Sequence, residues 1–176
     1  DVVNLLGSGK DFGCRFTYKV QDEAGGIAQA LGLAENFCGD DPMTVILGDN
    51  IFSADLDKAL NQFDGEGSQI LIKQVKDPER FGVAELEGDR IIGIEEKPDE
   101  AKSDYAVTGI YMYDAKVFDL IRNLSPSKRG ELEITDVNND YIKKGKMKYS
   151  ILDGWWTDAG THESLVVANS LAHKLD

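Results

Sequence analysis

Asp49 stands directly after an apolar run in Val45-Ile46-Leu47-Gly48-Asp49-Asn50. A carboxylate in that position is held at the end of a strand, and the preceding glycine lets a phosphate or metal ion approach the backbone. Hard oxygen donors of this kind suit Mg²⁺, which binds through one or two carboxylates and substrate phosphates. Gly-Asp-Asn is also ordinary turn chemistry, so a strand-to-turn cap explains the same residues. Asp158, in Gly154-Trp155-Trp156-Thr157-Asp158-Ala159-Gly160-Thr161, is the second candidate. It precedes an apolar-periodic segment, where a helix dipole alone would favour an acid. Two distant carboxylates closing on one cation would change that balance.

Glu95-Glu96-Lys97-Pro98 ends another strand candidate. Pro98 predicts extended backbone at Lys97 and an end to the ladder, so the charged side chains project past the sheet edge. An ammonium there can neutralise a sugar phosphate, and the adjacent carboxylate can accept from hydroxyls; a solvated edge cluster is the alternative. Gln21 offers the donor and acceptor that an imide edge of a pyrimidine requires, and Gly26 would let a flat base lie against backbone. Neither G-x-x-x-x-G-K-[ST] nor G-x-G-x-x-G occurs in the chain. The acids of Gly130-Glu131-Leu132-Glu133-Ile134-Thr135-Asp136 read as helix capping. Asp55-Leu56-Asp57, a conceivable metal dyad of an Mg²⁺-dependent glycosyltransferase, lies in a helical pattern that makes its two side chains diverge.

The elements that must position these residues follow from periodicity. Val2, Val3, Leu5 and Leu6 before Gly7 predict the end of a helix. Arg15–Val20 alternates as a half-buried strand, and Met43–Leu47, without polar alternation, predicts a strand covered on both faces. Ile27 to Phe37, Leu56 to Phe63 (capped by Asp55), Val117 to Leu124, Ile134 to Tyr141 and Leu165 to Ala172 carry helical spacing. Gln69–Val75, Tyr105–Tyr113 and Lys146–Leu152 read as strands, and Glu87-Gly88-Asp89 as a hairpin turn. Strand–helix alternation followed by a hairpin-bearing section predicts a three-layer α/β/α sandwich with a mixed, mostly parallel sheet, as one domain over 1–176.

Composition narrows the partners. Lys and Arg total 19 against 32 Asp and Glu, a net charge of −13 that repels phosphate backbones and anionic membranes. No apolar stretch approaches the ~20 residues needed to span a bilayer. Two cysteines and two histidines, far apart, are too few for a zinc cage, and Cys14 and Cys38 read as reduced thiols of a cytoplasmic protein.

In their order and spacing, Gln21…Gly25-Gly26-Ile27-Ala28-Gln29-Ala30, Leu47-Gly48-Asp49-Asn50, Asp77-Pro78-Glu79-Arg80-Phe81-Gly82-Val83, Glu95-Glu96-Lys97-Pro98, Tyr105–Gly109, Gly130–Asp136 and Trp156–Thr161 closely resemble the glucose-1-phosphate thymidylyltransferases, short form. The resemblance runs over nearly the whole chain and implies a nucleotide-diphospho-sugar transferase-like fold. It also implies transfer of a nucleotidyl group from dTTP to glucose 1-phosphate, giving dTDP-glucose and pyrophosphate on the route to dTDP-rhamnose. By resemblance, Gln21 and Gly26 hold thymine, Asp49 and Asp158 hold Mg²⁺, and Asn50, Gly82, Glu96, Lys97 and Val107 contact the sugar phosphate. Lys97 then meets the phosphate and Glu96 the sugar hydroxyls, while Phe81 stands where many relatives carry Tyr. The glycine-rich G-G-x-G-T-R-L loop with which the family opens has no counterpart here. An N-terminally truncated chain of weakened turnover is therefore expected, as is a homo-oligomer formed over the stripped sheet edge. A non-catalytic sugar-nucleotide-binding module is the alternative.

Overall fold

The computed structural model describes residues 2–173. In chain order the helices are α1 (Val2–Leu6), α2 (Ile27–Gly32), α3 (Glu35–Cys38), α4 (Asp57–Gln62), α5 (Val117–Arg122), α6 (Ile134–Lys143) and α7 (His162–Ala172). The strands are β1 (Met43–Ile46), β2 (Asn50–Phe52), β3 (Ser68–Gln74), β4 (Gly82–Glu87), β5 (Arg90–Glu96), β6 (Tyr105–Tyr113), β7 (Met147–Ile151) and β8 (Trp156–Asp158).

The main sheet runs β5-β4-β6-β3-β7, with β1 also on β6. The α/β fold with a mixed sheet is as expected, but a mostly parallel sheet is not what forms. Among the described residues only β3–β7 is parallel, and the β1–β6, β3–β6, β4–β5 and β4–β6 ladders are antiparallel. One of these ladders has a local cause: the two-residue turn at Gly88-Asp89, with Gly88 at φ +63°, reverses β4 directly into β5.

β3 and β6 are central and read as continuous apolar runs because both of their faces are covered. Ile70, Ile72, Tyr111 and Tyr113 pack with α2, α5 and α6 through Ala28, Val117, Phe118, Ile134, Val137 and Tyr141. Their alternates Leu71, Ile110 and Met112 face the other way, onto Ala59 of α4, Leu152, Phe52 and Trp156. The second outer layer is thus one short helix and a two-stranded ribbon, β2–β8, which the sequence reading did not contain.

β1 is covered on one face only. Met43, Val45 and Leu47 join the core, whereas Ile46 is 48% exposed. Arg15–Val20 is not a strand: no ladder forms there among the described residues, and Phe16, Tyr18 and Val20 remain exposed. Alternation states which face could be buried; it does not supply a neighbour. The helix expected over Ile27–Phe37 is divided into α2 and α3 around Leu33-Ala34. Asp55 is not the cap expected for α4: the N-cap is Leu56, without a side-chain hydrogen bond, and Asp55, one residue earlier, accepts from the Asp57 amide at 2.8 Å. Cys14 and Cys38 are not paired. No helix among the described residues is long and apolar enough to cross a membrane.

Candidate active site

The sheet forks at β6. On one edge of this strand β1 pairs with Ile110–Tyr113 and β4 with Ala106, and between them the Leu47 amide reaches the Gly109 carbonyl at 2.9 Å. A cleft of about 330 Å³ opens at that fork, with Val107, Gly109 and Tyr111 contributing alternate residues of β6 to its wall. Of the nine residues assigned from sequence, seven line it: Asp49, Asn50, Gly82, Glu96, Lys97, Val107 and Asp158.

The ribbon brings the two distant aspartates together. β2 pairs with β8 in the register Asn50↔Asp158, and the Ala159 amide donates to the Asp49 carbonyl at 2.7 Å. Asn50 locks the arrangement. Its Oδ1 accepts from the Gly109 amide (2.8 Å) and Trp156 Nε1 (2.7 Å), and its Nδ2 donates to Asp49 Oδ1 (2.9 Å). The absence of a side chain at Gly109 makes this possible, since a Cβ there would lie 2.5 Å from Asn50 Nδ2. Asp158 does not serve as a cap for the helix that follows it. Thr161 and Ser164 form a reciprocal capping box at the start of α7, so that terminus is satisfied without the aspartate.

Each carboxylate keeps one oxygen away from the hydrogen bonds described. Asp49 Oδ1 is held by Asn50 and Asp158 Oδ1 by Arg80 Nη2 (3.3 Å), while a Cβ placed on Gly160 would lie 3.4 Å from Asp158 Oδ2 and 3.6 Å from Asp49 Oδ2. Two anionic oxygens bordering one small gap form a donor set that fits a hard divalent cation. Among the described residues no third His, Cys, Asp or Glu converges with them. A cation here would complete its shell from water and substrate phosphates, as Mg²⁺ does.

Across the cleft, Glu96 ends β5 and Lys97 follows it. Glu96 Oε2 accepts from the buried Thr135 hydroxyl at 2.6 Å, and its Oε1 lies 3.6 Å from Arg129. Lys97 is not extended, as Pro98 led us to expect. Its φ is +44°, the left-handed region that costs a side-chain-bearing residue about 1–2 kcal/mol. The Lys97 amide bonds to the Phe81 carbonyl (3.0 Å) and Pro98 is buried, so tertiary contacts over-determine the turn.

The acids of 130–136 are not helix caps. α6 begins without a side-chain cap, and Glu133 instead binds the Arg129 guanidinium through both oxygens (2.9 and 3.0 Å) and the Ser127 hydroxyl (2.7 Å). Burial pushes the Glu133 carboxyl up, but the hydrogen bonds from Arg129 and Ser127 prevail and hold it below its usual range. Glu131 joins the same guanidinium at 3.4 Å. Tyr111, on the cleft wall, has its hydroxyl pushed far above its ordinary value by burial and then by the charges of Glu96 and Asp49.

Gln21 and Gly26 sit together on the loop before α2, where Gln21 Nε2 donates to the Gly26 carbonyl (3.3 Å) and to Gln29 (2.7 Å). They do not line the cleft. They adjoin it through Ile27 and Glu131, which do. Gly26 has φ +94°, and a Cβ there would meet the Leu132 carbonyl at 2.5 Å, which explains the glycine without a ligand. Asp55 and Asp57 lie outside the cleft. Sequence reasoning missed Arg129, Arg80 and Thr135 as cleft residues. Arg80 and Thr135 belong to motifs already quoted, whereas Arg129, one residue before the acidic stretch, carried no periodic signal.

The forked mixed sheet holds a cleft with Asp49, Asp158 and Arg80 on one side and Glu96, Lys97 and Arg129 on the other, and its class is that of the nucleotidyl-transfer proteins. The chain belongs to the nucleotidyl transferase family, whose profile matches residues 1–174. Within that family it is 46% identical over 172 residues to the glucose-1-phosphate thymidylyltransferase of Neisseria meningitidis serogroup A, covering 94% of this chain and 60% of that relative. A Bacillus anthracis crystal structure assigned to glucose-1-phosphate thymidylyltransferase, in complex with a sucrose, is 61% identical with a TM-score of 0.94. The match covers all of this chain and 72% of that one. A UDP-glucose pyrophosphorylase complexed with UDP-glucose is 26% identical with a TM-score of 0.82, over 99% of this chain and 73% of that one. The chain therefore spans less than two thirds of the length of the Neisseria relative.

Proposed function

We propose that this chain carries the sugar-phosphate and metal half of a glucose-1-phosphate thymidylyltransferase, acting on dTTP and glucose 1-phosphate to yield dTDP-glucose and pyrophosphate. The single observation that carries this reading is the clasp in which Asp49 and Asp158 border the gap at Gly160, facing a cleft that also holds Lys97 and Glu96.

A phosphate oxygen of the sugar phosphate would attack the α-phosphorus of the triphosphate in line, displacing pyrophosphate. The residues chiefly position two anions and offset their repulsion. Asp49 and Asp158 would hold Mg²⁺, which when bound supplies Lewis-acid neutralisation at the phosphates. Lys97, turned by its left-handed backbone, holds the attacking phosphate, and Glu96, anchored by Thr135, accepts from sugar hydroxyls. Val107 and Gly82 leave the room a pyranose ring needs, and Trp156 with Phe81, ring centroids 5.1 Å apart, closes one wall against water. Gln21 and Gly26 would receive the base on the adjoining loop. The product would serve dTDP-rhamnose synthesis in the cytoplasm.

Calorimetric titration with dTDP-glucose tests the binding half: saturable binding is expected, weakened at least about tenfold in Lys97→Ala. Pyrophosphate release from dTTP and glucose 1-phosphate tests the reaction, with Asp49→Asn expected to lower it by about 10²–10³. Failure of dTDP-glucose to bind at all would sink the proposal.

A further inference from the structure

Arg80 lies on the short 3₁₀ turn Pro78–Arg80 that leads into β4. Its Nη1 is 2.8 Å from Asp77 Oδ2, its Nη2 is 3.3 Å from Asp158 Oδ1, and its guanidinium lies 5.2 Å from the centroid of the Phe81 ring. Phe81 in turn meets Trp156 of β8 edge to face. Arg80 is therefore fixed on three sides, and it spans the space between the main sheet and the ribbon. An isolated exposed ion pair is worth about 0–1 kcal/mol and would need no explanation. This one differs in what it touches.

The two aspartates are treated alike. Asn50 takes Oδ1 of Asp49 and leaves Oδ2 at Gly160; Arg80 takes Oδ1 of Asp158 and leaves Oδ2 at Gly160. Asn50 is tied to Gly109 and Trp156, and Arg80 to Asp77 and Phe81. Ligating carboxylates are commonly oriented by such outer partners, whose loss costs 10- to 100-fold in metal affinity. The guanidinium also opposes a nearby cation by Coulomb repulsion, but Asp77 offsets its charge at 2.8 Å.

We infer that Arg80 is a positioning residue for the divalent-cation site: it holds Asp158 Oδ1 so that Oδ2 is presented beside Asp49. The inference rests on the two-aspartate reading above and deepens it. It assigns Arg80 no contact with substrate. Its effect is on the geometry of one carboxylate, and a planar fork bridging two acids does this better than an ammonium.

The test is Mn²⁺ binding to the purified chain, followed by electron paramagnetic resonance of the free ion, without nucleotide or turnover. Wild type, Asp49→Asn, Arg80→Gln and Arg80→Lys are compared, with near-ultraviolet circular dichroism to check that each retains its tertiary packing. Binding that Asp49→Asn removes, weakened about tenfold in Arg80→Gln and partly recovered in Arg80→Lys, is the expected pattern. Asp49-dependent binding in Arg80→Gln within twofold of wild type overturns the role of Arg80 and leaves the two-aspartate site intact. Tighter binding in Arg80→Gln also overturns it, because the guanidinium would then be a competitor for the carboxylate. Absence of any Asp49-dependent Mn²⁺ binding takes down the site and the role of Arg80 together.

Discussion

Asp114, just past the end of β6, and the Asp49–Asp158 pair, which the β2–β8 ribbon holds beside the middle of that strand, are acidic centres whose oxygens are engaged in different ways. Asp114 is 7% exposed, and both its oxygens are engaged: Oδ2 by the Gly67 amide, Oδ1 by the Lys116 amide and the Tyr141 hydroxyl. Tyr141 stacks on Tyr113, whose hydroxyl closes on Asn138 at 2.6 Å. Burial, and then the hydrogen bond to Asp114, pushes the Tyr141 hydroxyl well up, so it stays protonated as the donor. At the cleft, Asn50 and Arg80 take one oxygen from each aspartate and the other two border a gap. A carboxylate whose acceptors are all answered from its own chain holds the fold. One left with an oxygen beside another such oxygen is, on the function proposed above, available to a ligand.

Three substitutions would break or sharpen that contrast. The largest effect is expected at the structural centre: Asp114→Ala strands two backbone amides and a buried hydroxyl and should cost about 3 kcal/mol, read from urea unfolding. The folded fraction should still bind dTDP-glucose with unchanged affinity; a weakened affinity would show that the two centres are coupled. Gly109→Ala acts on the cleft side. A Cβ 2.7 Å from Asn50 Cγ must displace the amide that orients Asp49. Mn²⁺ affinity should fall about tenfold, at a stability cost of about 1–2 kcal/mol.

The smallest effect is a pH dependence. The Glu133 carboxyl is held below its ordinary value in the folded state, so the stabilisation it contributes is fully present above that ordinary value, near 4.5. It is lost as the pH falls through the lower, folded-state value. Glu133→Gln should therefore remove about 1 kcal/mol at pH 7 and progressively less below pH 4.5. Parallel unfolding curves for wild type and Glu133→Gln across that range would contradict the assignment.

β6 occupies Tyr105–Tyr113 as its run of Val, Thr, Ile and Tyr predicts, and β3 and the Gly88-Asp89 turn were equally legible. In each of these, propensity, patterning and turn chemistry agree over a few neighbouring residues. Arg15–Val20 has the same alternation as a strand and does not become one, because a ladder also needs a partner at hydrogen-bonding distance. β2 and β8, three residues each, are too short to leave a period, and Lys97 takes a backbone state that its own Pro98 argues against. The cleft shows the same division. Glu96 and Lys97 announce themselves as charges at a strand end, whereas Arg129 and Arg80 acquire meaning only from the carboxylates they meet.

Which residue types are available, where the chain can turn, and which long segments carry the period of a strand or a helix were set along the sequence, because these depend on neighbours a few positions apart. That Asp49 and Asp158, 109 positions apart in the chain, face one gap was not. It depends on a short ribbon, an asparagine with its amide engaged at both ends, and a glycine on a central strand that lets it approach, and those contacts exist only after the layers have packed.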